Sequence, residues 1–314
     1  MTERPSADPE LSVIVPVYNE RGDIERLHAG IAQALEGRRF EVLYINDGST
    51  DGTGKILDTL GEGDTRVKVI HFVRNYGQTA ALTAGFRNAA APVLVTMDAD
   101  YQNDPADIPM MLEHLEEFDV VCGWRKNRQD ATVKRLIPSR VANWLIAALS
   151  KVPLHDYGCT LRVYRREFVQ DIPLYGEMHR FIPIYVTWAG ARLTEVPVRH
   201  HPRIHGEAKY GLERIFKVLL DLTTLKFLRD FFVTPIYFFG WVGFMLVFAG
   251  LLSGALAIPC WYLVDRPLIA ACLTIVAPML SIFGVVEITL GIIAEVLIRM
   301  HYEIQGKNPY KIRV

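Results

Sequence analysis

The chain has 314 residues, half of them hydrophobic, with a formal net charge of -1 and only four cysteines. This length suits one large catalytic domain plus an appendage. The near-neutral charge argues against a nucleic-acid protein, whose binding rests on clustered cations, and the apolar content is high for a purely soluble protein. Cys122, Cys159, Cys260 and Cys272 have no paired metal spacing, so neither a structural zinc nor a disulfide framework is expected.

The opening stretch, Met1 to Glu10, is polar with no apolar core, and it is read as something other than a signal peptide. Leu11–Val17 then forms a β-branched apolar run, followed by Tyr18-Asn19-Glu20 and a helical stripe of Ile24, Leu27, Ile31 and Leu35. A second strand is predicted over Phe40–Ile45, ending in Asn46-Asp47-Gly48-Ser49-Thr50-Asp51-Gly52, with Ile56, Leu57 and Leu60 continuing as a helix. The alternation repeats through a Val67–Phe72 strand, a Thr79–Ala90 helix and a Val93–Met97 strand. Strand and helix alternating in this way imply a parallel, doubly wound α/β sheet with both faces covered.

Ligands of such sheets bind beyond the carboxyl ends of the strands. Polar residues gather at those ends here, in Tyr18-Asn19-Glu20, Asn46-Asp47-Gly48, Arg74-Asn75-Tyr76-Gly77-Gln78 and Asp98-Ala99-Asp100. Each alone is ordinary turn chemistry, but four in succession on one rim point to a site. Two carboxylates one residue apart after a buried strand can grip a divalent cation, which in turn neutralises a diphosphate leaving group. Asp104 fits the role of helix cap before Pro105 better than Asp98 or Asp100 does. Further along, Gly123-Trp124-Arg125-Lys126-Asn127-Arg128, with Lys134 and Arg135, is a basic stretch that suits phosphate.

Residues 209–232 mix apolar positions (Leu212, Ile215, Phe216, Leu219, Leu220, Leu225) with Lys209, Arg214, Lys217, Lys226 and Arg229. This pattern predicts amphipathic helices on an anionic leaflet. Phe231 to Val264 contains no charge, and after Asp265-Arg266 a second uncharged stretch runs from Pro267 to Val286. Each exceeds the roughly 20 residues that cross a bilayer as a helix. Glu287 and Glu295 follow on the second segment; Glu295 is expected near the interface, and Glu287 to need a polar contact. Cations flank the pair on its outer sides, including Arg299, Lys307, Lys311 and Arg313. The positive-inside tendency then puts both termini and the catalytic domain in the cytoplasm, with a short exoplasmic turn. The domains read as 1–208 catalytic, 209–232 interfacial, and 233–314 a transmembrane hairpin with a C-terminal tail.

Val13-Ile14-Val15-Pro16-Val17-Tyr18-Asn19-Glu20, Asn46-Asp47-Gly48-Ser49-Thr50-Asp51, Asp98-Ala99-Asp100 and Asp156-Tyr157-Gly158-Cys159-Thr160-Leu161-Arg162 together resemble family 2 glycosyltransferases of the GT-A fold. More narrowly, the chain resembles the polyprenyl-phosphate glycosyltransferases, the group of dolichyl-phosphate mannose synthase and its bacterial undecaprenyl-phosphate relatives. The likeness spans nearly the whole chain, including both apolar segments.

The resemblance implies that Pro16, Tyr18, Glu20, Asp47 and Gln78 line a nucleotide pocket, with Asp98 shared toward ribose or sugar. It implies that Asp98 and Asp100, with Gln102 nearby, hold Mg2+ or Mn2+ and the diphosphate, and that Asp156 is the carboxylate at the base position. Arg125, Arg135 and Ser139 match the family's spacing for the lipid phosphate. Arg203 and Lys209, in Arg203-Ile204-His205-Gly206-Glu207-Ala208-Lys209-Tyr210-Gly211, match a loop that closes over the diphosphate; Ala208 stands where many relatives carry Ser.

The implied reaction is an inverting transfer of a sugar from a nucleotide sugar, with uridine diphosphate favoured by analogy, to polyprenyl phosphate. A homo-oligomer, a tetramer by family resemblance, at the inner membrane is expected. A phosphate monoester has a second pKa of about 6 and is already largely anionic at neutral pH, so Asp156 is expected to orient substrate more than to move a proton. Two other readings stand beside this one. A processive glycan synthase would carry a Gln-x-x-Arg-Trp segment, which does not occur here, and a non-catalytic membrane adaptor would not need the acidic pair.

Overall fold

The computed structural model describes residues 8–126, 146–148, 150–172, 174, 176, 178–202, 234–262 and 266–305. The chain divides into two compact units, Met1–Leu222 and Thr223–Val314. That division falls inside the predicted interfacial segment 209–232, which lies outside the described residues.

The first unit is built on a seven-stranded sheet: β1 (Leu11–Val17), β2 (Phe40–Asn46), β3 (Val67–His71), β4 (Val93–Thr96), β5 (Val120–Trp124), β6 (Arg162–Arg165) and β7 (Leu193–Pro197). Their order across the sheet is β3-β2-β1-β4-β6-β5-β7. Four helices alternate with the early strands: α1 (Ile24–Ala34), α2 (Thr53–Gly63), α3 (Gln78–Asn88) and α4 (Ile108–Glu113). Strand β1 lies parallel to β2 and β4, and β2 parallel to β3, as the alternation predicts. The sheet as a whole is mixed, which corrects the all-parallel expectation: β6 runs antiparallel to both β4 and β5. A strand's backbone groups are satisfied by parallel and antiparallel neighbours alike, so the hydrophobic period of a short strand does not fix its direction.

Strand β1 is covered on both sides. Val13, Val15 and Val17 join Ile24, Leu27 and Ile31 of α1 and Leu57 of α2 in one apolar cluster. Ile14 points the other way, toward α3, as the two-residue period of a strand requires. Gly85 of α3 lies so close that a Cβ there would overlap the Ile14 Cγ2. The glycine therefore sets how tightly α3 seats on the strand carrying Pro16.

In the second unit two helices, Pro235–Tyr262 and Pro267–Gln305, pack along one another. Both are long and apolar enough to cross a membrane. Their outer faces expose Trp241, Phe248, Leu251, Ile275 and Ile282, as the helices of a membrane protein do and unlike core helices of a soluble domain. Backbones meet where side chains are smallest: a Cβ on Gly243 would stand 2.5 Å from the Gly284 carbonyl oxygen, and one on Gly284 would stand 2.6 Å from that of Gly243. Such close approach is a usual basis of helix association in lipid. Glu287 and Glu295 are half-buried.

Gly85→Ala should destabilise the first unit by about 1–3 kcal/mol through overpacking. Thermal unfolding of the detergent-solubilised protein checks this, and Gly85→Ala combined with Ile14→Ala should lose less than the two single changes together.

Candidate active site

The strand order reverses between β1 and β4, and a crevice opens at such a switch point in an open α/β sheet. Here it is a cleft of about 130 Å³ whose lining includes Pro16, Gln78, Asp98, Asp100, Gln102 and Arg125. Six of the residues named from sequence thus converge. Asp98 and Asp100 follow β4 directly; Asp98 is half-buried and Asp100 is 5% exposed. Gln78, first residue of α3, donates to Asp98 Oδ1 at 2.7 Å. Asp100 Oδ1 accepts the Gln102 amide at 3.2 Å. Asp104 caps the next turn by accepting the Ala106 amide, the capping role expected of it.

The acidic turn is held in a costly backbone shape. Tyr101, directly after Asp100, has φ +54°, a left-handed conformation that bulky residues rarely adopt. Its ring is fixed by the Arg26 guanidinium 4.0 Å from the centroid and by His201 stacked at 6.0 Å. The chain leading to Pro202 is tied to the same turn, since the His201 amide donates to the Gln102 carbonyl and Arg199 pairs with Asp104 and Asp107.

Tyr18, Glu20 and Asp47 stand on the rim outside this cleft lining. Asp47 is 3% exposed, and its two oxygens accept the Tyr76 and Gly77 amides at 2.7 and 2.9 Å. It fixes the turn before Gln78. Gly48 makes that turn possible: at φ +71° it lies against the Arg74 backbone with no room for a Cβ. The loops after β1 and β2 are laced together by Thr50 N–H to Asn19 Oδ1, the Glu20 amide to Thr53 Oγ1, and the Arg21 amide to Asp51. Tyr18 is 44% exposed beside them.

On the other side of β4, Arg125 and Asp156 meet each other. Arg125 Nε donates to Asp156 Oδ2 at 2.7 Å and Nη2 to Oδ1 at 2.9 Å, a two-pronged pair nearly sealed from solvent. Burial works against the guanidinium charge, and the hydrogen bonds and charge of Asp156 outweigh it, so the Arg125 pKa is raised. Asp156 also accepts the Gly158 amide. A carboxylate so engaged is fixed in orientation.

Sequence reasoning assigned no role to several further residues of the lining: Thr160, Arg162, His179 and Arg180. Arg162 belongs to a quoted motif, but nothing in the motif reveals which way the side chain points. His179 and Arg180 sit in the irregular turn Met178–Phe181, which has no periodic signature. Arg135, Ser139, Arg203 and Lys209 lie outside the described residues, as do Arg128 and Lys134.

No three His, Cys, Asp or Glu side chains converge as a metal cluster among the described residues. The cleft does offer two hard carboxylates with an amide nearby, a set that suits Mg2+ or Mn2+ completed by water and phosphate oxygens. Cys122 and Cys159 are buried close by, and desolvation pushes both thiols up to about 12, so neither supplies a thiolate.

This architecture defines a GT-A glycosyltransferase domain. Solved structures of similar fold include S. aureus TarS with UDP-GlcNAc (TM-score 0.51, 18% identity, 71% of this chain and 68% of that one). Glucosyl-3-phosphoglycerate synthase from Mycobacterium tuberculosis with Mn2+ and UDP is another (TM-score 0.53, 16% identity, 73% and 86%). The Glycosyl transferase family 2 model matches residues 12–173, and the chain belongs to that family. It is similar over nearly its full length to dodecaprenyl-phosphate galacturonate synthase of Rhizobium johnstonii (38% identity, 99% of this chain, 94% of the relative). It is likewise similar to undecaprenyl-phosphate 4-deoxy-4-formamido-L-arabinose transferase of Pseudomonas aeruginosa (34%, 96% and 89%).

Replacing one member of the buried pair strands the other's charge. Asp156→Leu and Arg125→Met should each cost about 3–5 kcal/mol, and the double variant should lose at least about 1 kcal/mol less than the sum, read from denaturant melts in detergent.

Proposed function

We propose that this enzyme transfers a sugar from a nucleotide sugar, with uridine diphosphate the favoured carrier, to polyprenyl phosphate. The observation that carries the proposal is the convergence of Pro16, Gln78, Asp98 and Asp100 at the switch point in a chain alike end to end to two enzymes named for polyprenyl-phosphate sugars. The two apolar helices support a lipid acceptor.

The lipid phosphate oxygen attacks the anomeric carbon while the bond to the diphosphate breaks, in one inverting step. The nucleotide lies along the rim built by Pro16, Tyr18, Glu20 and the Asp47-supported turn, with Gln78 holding Asp98 in place. Asp98 and Asp100, with Gln102, would hold a divalent cation, and when bound it would neutralise the departing diphosphate. Asp156 orients the site through Arg125. The two-pronged pair uses the Nε and Nη2 edge of Arg125, which leaves the Nη1 edge for the acceptor phosphate beside Arg135 and Ser139. Arg203 and Lys209 close over the diphosphate from a segment that begins directly after Pro202, where the chain is tied to Gln102. Closure excludes water and protects the donor from hydrolysis.

The reading extends to location and assembly. The enzyme spans the inner membrane twice, with its catalytic domain in the cytoplasm, and assembles as a tetramer.

Purified protein in detergent, with undecaprenyl phosphate, Mg2+ or Mn2+ and labelled nucleotide sugars, should yield a lipid-linked sugar. Chelation should abolish transfer, and Asp100→Ala should lower it at least about a hundredfold. Folded protein that binds the lipid yet transfers none of the sugars would overturn the proposal.

A further inference from the structure

The cations of the cleft differ in one respect. Arg125 is neutralised by Asp156, whereas Arg162 and Arg180, which line the same cleft, pair with no acidic side chain among the described residues. A cation at the wall of a cleft without a carboxylate beside it keeps its charge available to a ligand.

Arg162 is 3% exposed, and its geometry shows what it does. It donates through Nη2 to the Tyr157 carbonyl at 2.7 Å and through Nη1 to the His179 carbonyl at 3.2 Å. Its Nε is buried on the side of the Tyr164 hydroxyl. His179 is gripped a second time, by Thr79 at the start of α3, whose Oγ1 lies 3.0 Å from Nδ1. Phe181 and Ile182, each 1% exposed, anchor the chain on the far side. Arg180 stands between these anchors, half-buried in the wall, and the turn that carries it has little freedom to withdraw it.

We propose that Arg180 receives the carboxylate of an acidic sugar, so that the preferred donor is a nucleotide-linked hexuronate, with Arg162 as a positioning residue behind it. This inference rests on the nucleotide-sugar reading above. Under that reading the diphosphate already has the cation held by Asp98 and Asp100, together with Arg203 and Lys209. The acceptor phosphate has Arg125, Arg135 and Ser139. Arg180 is left for the sugar. A guanidinium fork matches a carboxylate through two parallel hydrogen bonds, and a neutral hexose would leave it unanswered. The relatives' names divide on this point, one naming an acidic sugar and the other an uncharged formamido sugar.

The test is equilibrium binding to the full-length protein in detergent with Mg2+, using UDP, UDP-galactose, UDP-galacturonate and UDP-glucuronate as probes. The wild type should bind at least one UDP-hexuronate about tenfold or more tightly than UDP-galactose, an order of magnitude that fits a charge-assisted, two-pronged bond. Arg180→Gln should erase that preference while changing UDP and UDP-galactose binding less than about twofold, and Arg180→Lys should keep part of it. Thermal melts establish that both variants are folded. Binding of UDP without a hexuronate preference would overturn this inference and leave the nucleotide-sugar reading intact. An equal loss of UDP binding in Arg180→Gln would assign the residue to the diphosphate and overturn the inference too. No binding of UDP at all would overturn both.

Discussion

Strand β6 enters the sheet against the direction of both its neighbours, and its leading residues therefore arrive at the rim where β1, β2, β4 and β5 finish. Opposite Thr96 in the register stands Arg162, two residues short of Asp98 along β4. Had β6 run parallel, its polar approach, Asp156 to Thr160, would emerge at the other end of the sheet. The reversal lets Asp156 close on Arg125, which follows β5, so that one ion pair joins the end of one strand to the beginning of the next. Half of the cleft wall hangs on that join.

The other half depends on parallel strands and on loops that satisfy their own backbone groups. Asp47 uses its charge inside the protein, on the amides of Tyr76 and Gly77, and so presents Gln78 to Asp98. The cleft is thereby sorted electrically. Its carboxylates gather after β4, one arginine is cancelled, and two arginines beyond it keep their field. In a space largely shielded from water such fields fall off slowly, so they can discriminate among small ligands that differ by one charge.

Much of this was legible from the order of residues. The first four strands and three helices follow directly from hydrophobic period and turn residues, and β1 spans Leu11–Val17 as predicted. Predicted limits shifted by a residue or two at α3, which begins at Gln78 and ends at Asn88. The pairing of Gln78 with Asp98, twenty residues apart, was foreseeable as co-location but not as a bond. The direction of β6 was not legible, because a four-residue strand has the same pattern read either way. Arg162 was equally opaque: a single arginine in a turn-rich motif is ordinarily a surface residue, and only the packing reveals it as a buried clasp between two carbonyls. His179 and Arg180 escaped notice for want of any period in the turn that holds them.

Tyr101 has a consequence for how this enzyme can change. Its left-handed backbone, next to Asp100, stores conformational energy that a glycine would release. The same substitution would also remove a ring that packs on the core and that Arg26 and His201 hold. The contacts around the ring therefore over-determine the strained backbone, and the acidic turn keeps its shape because its neighbours outweigh its own preference.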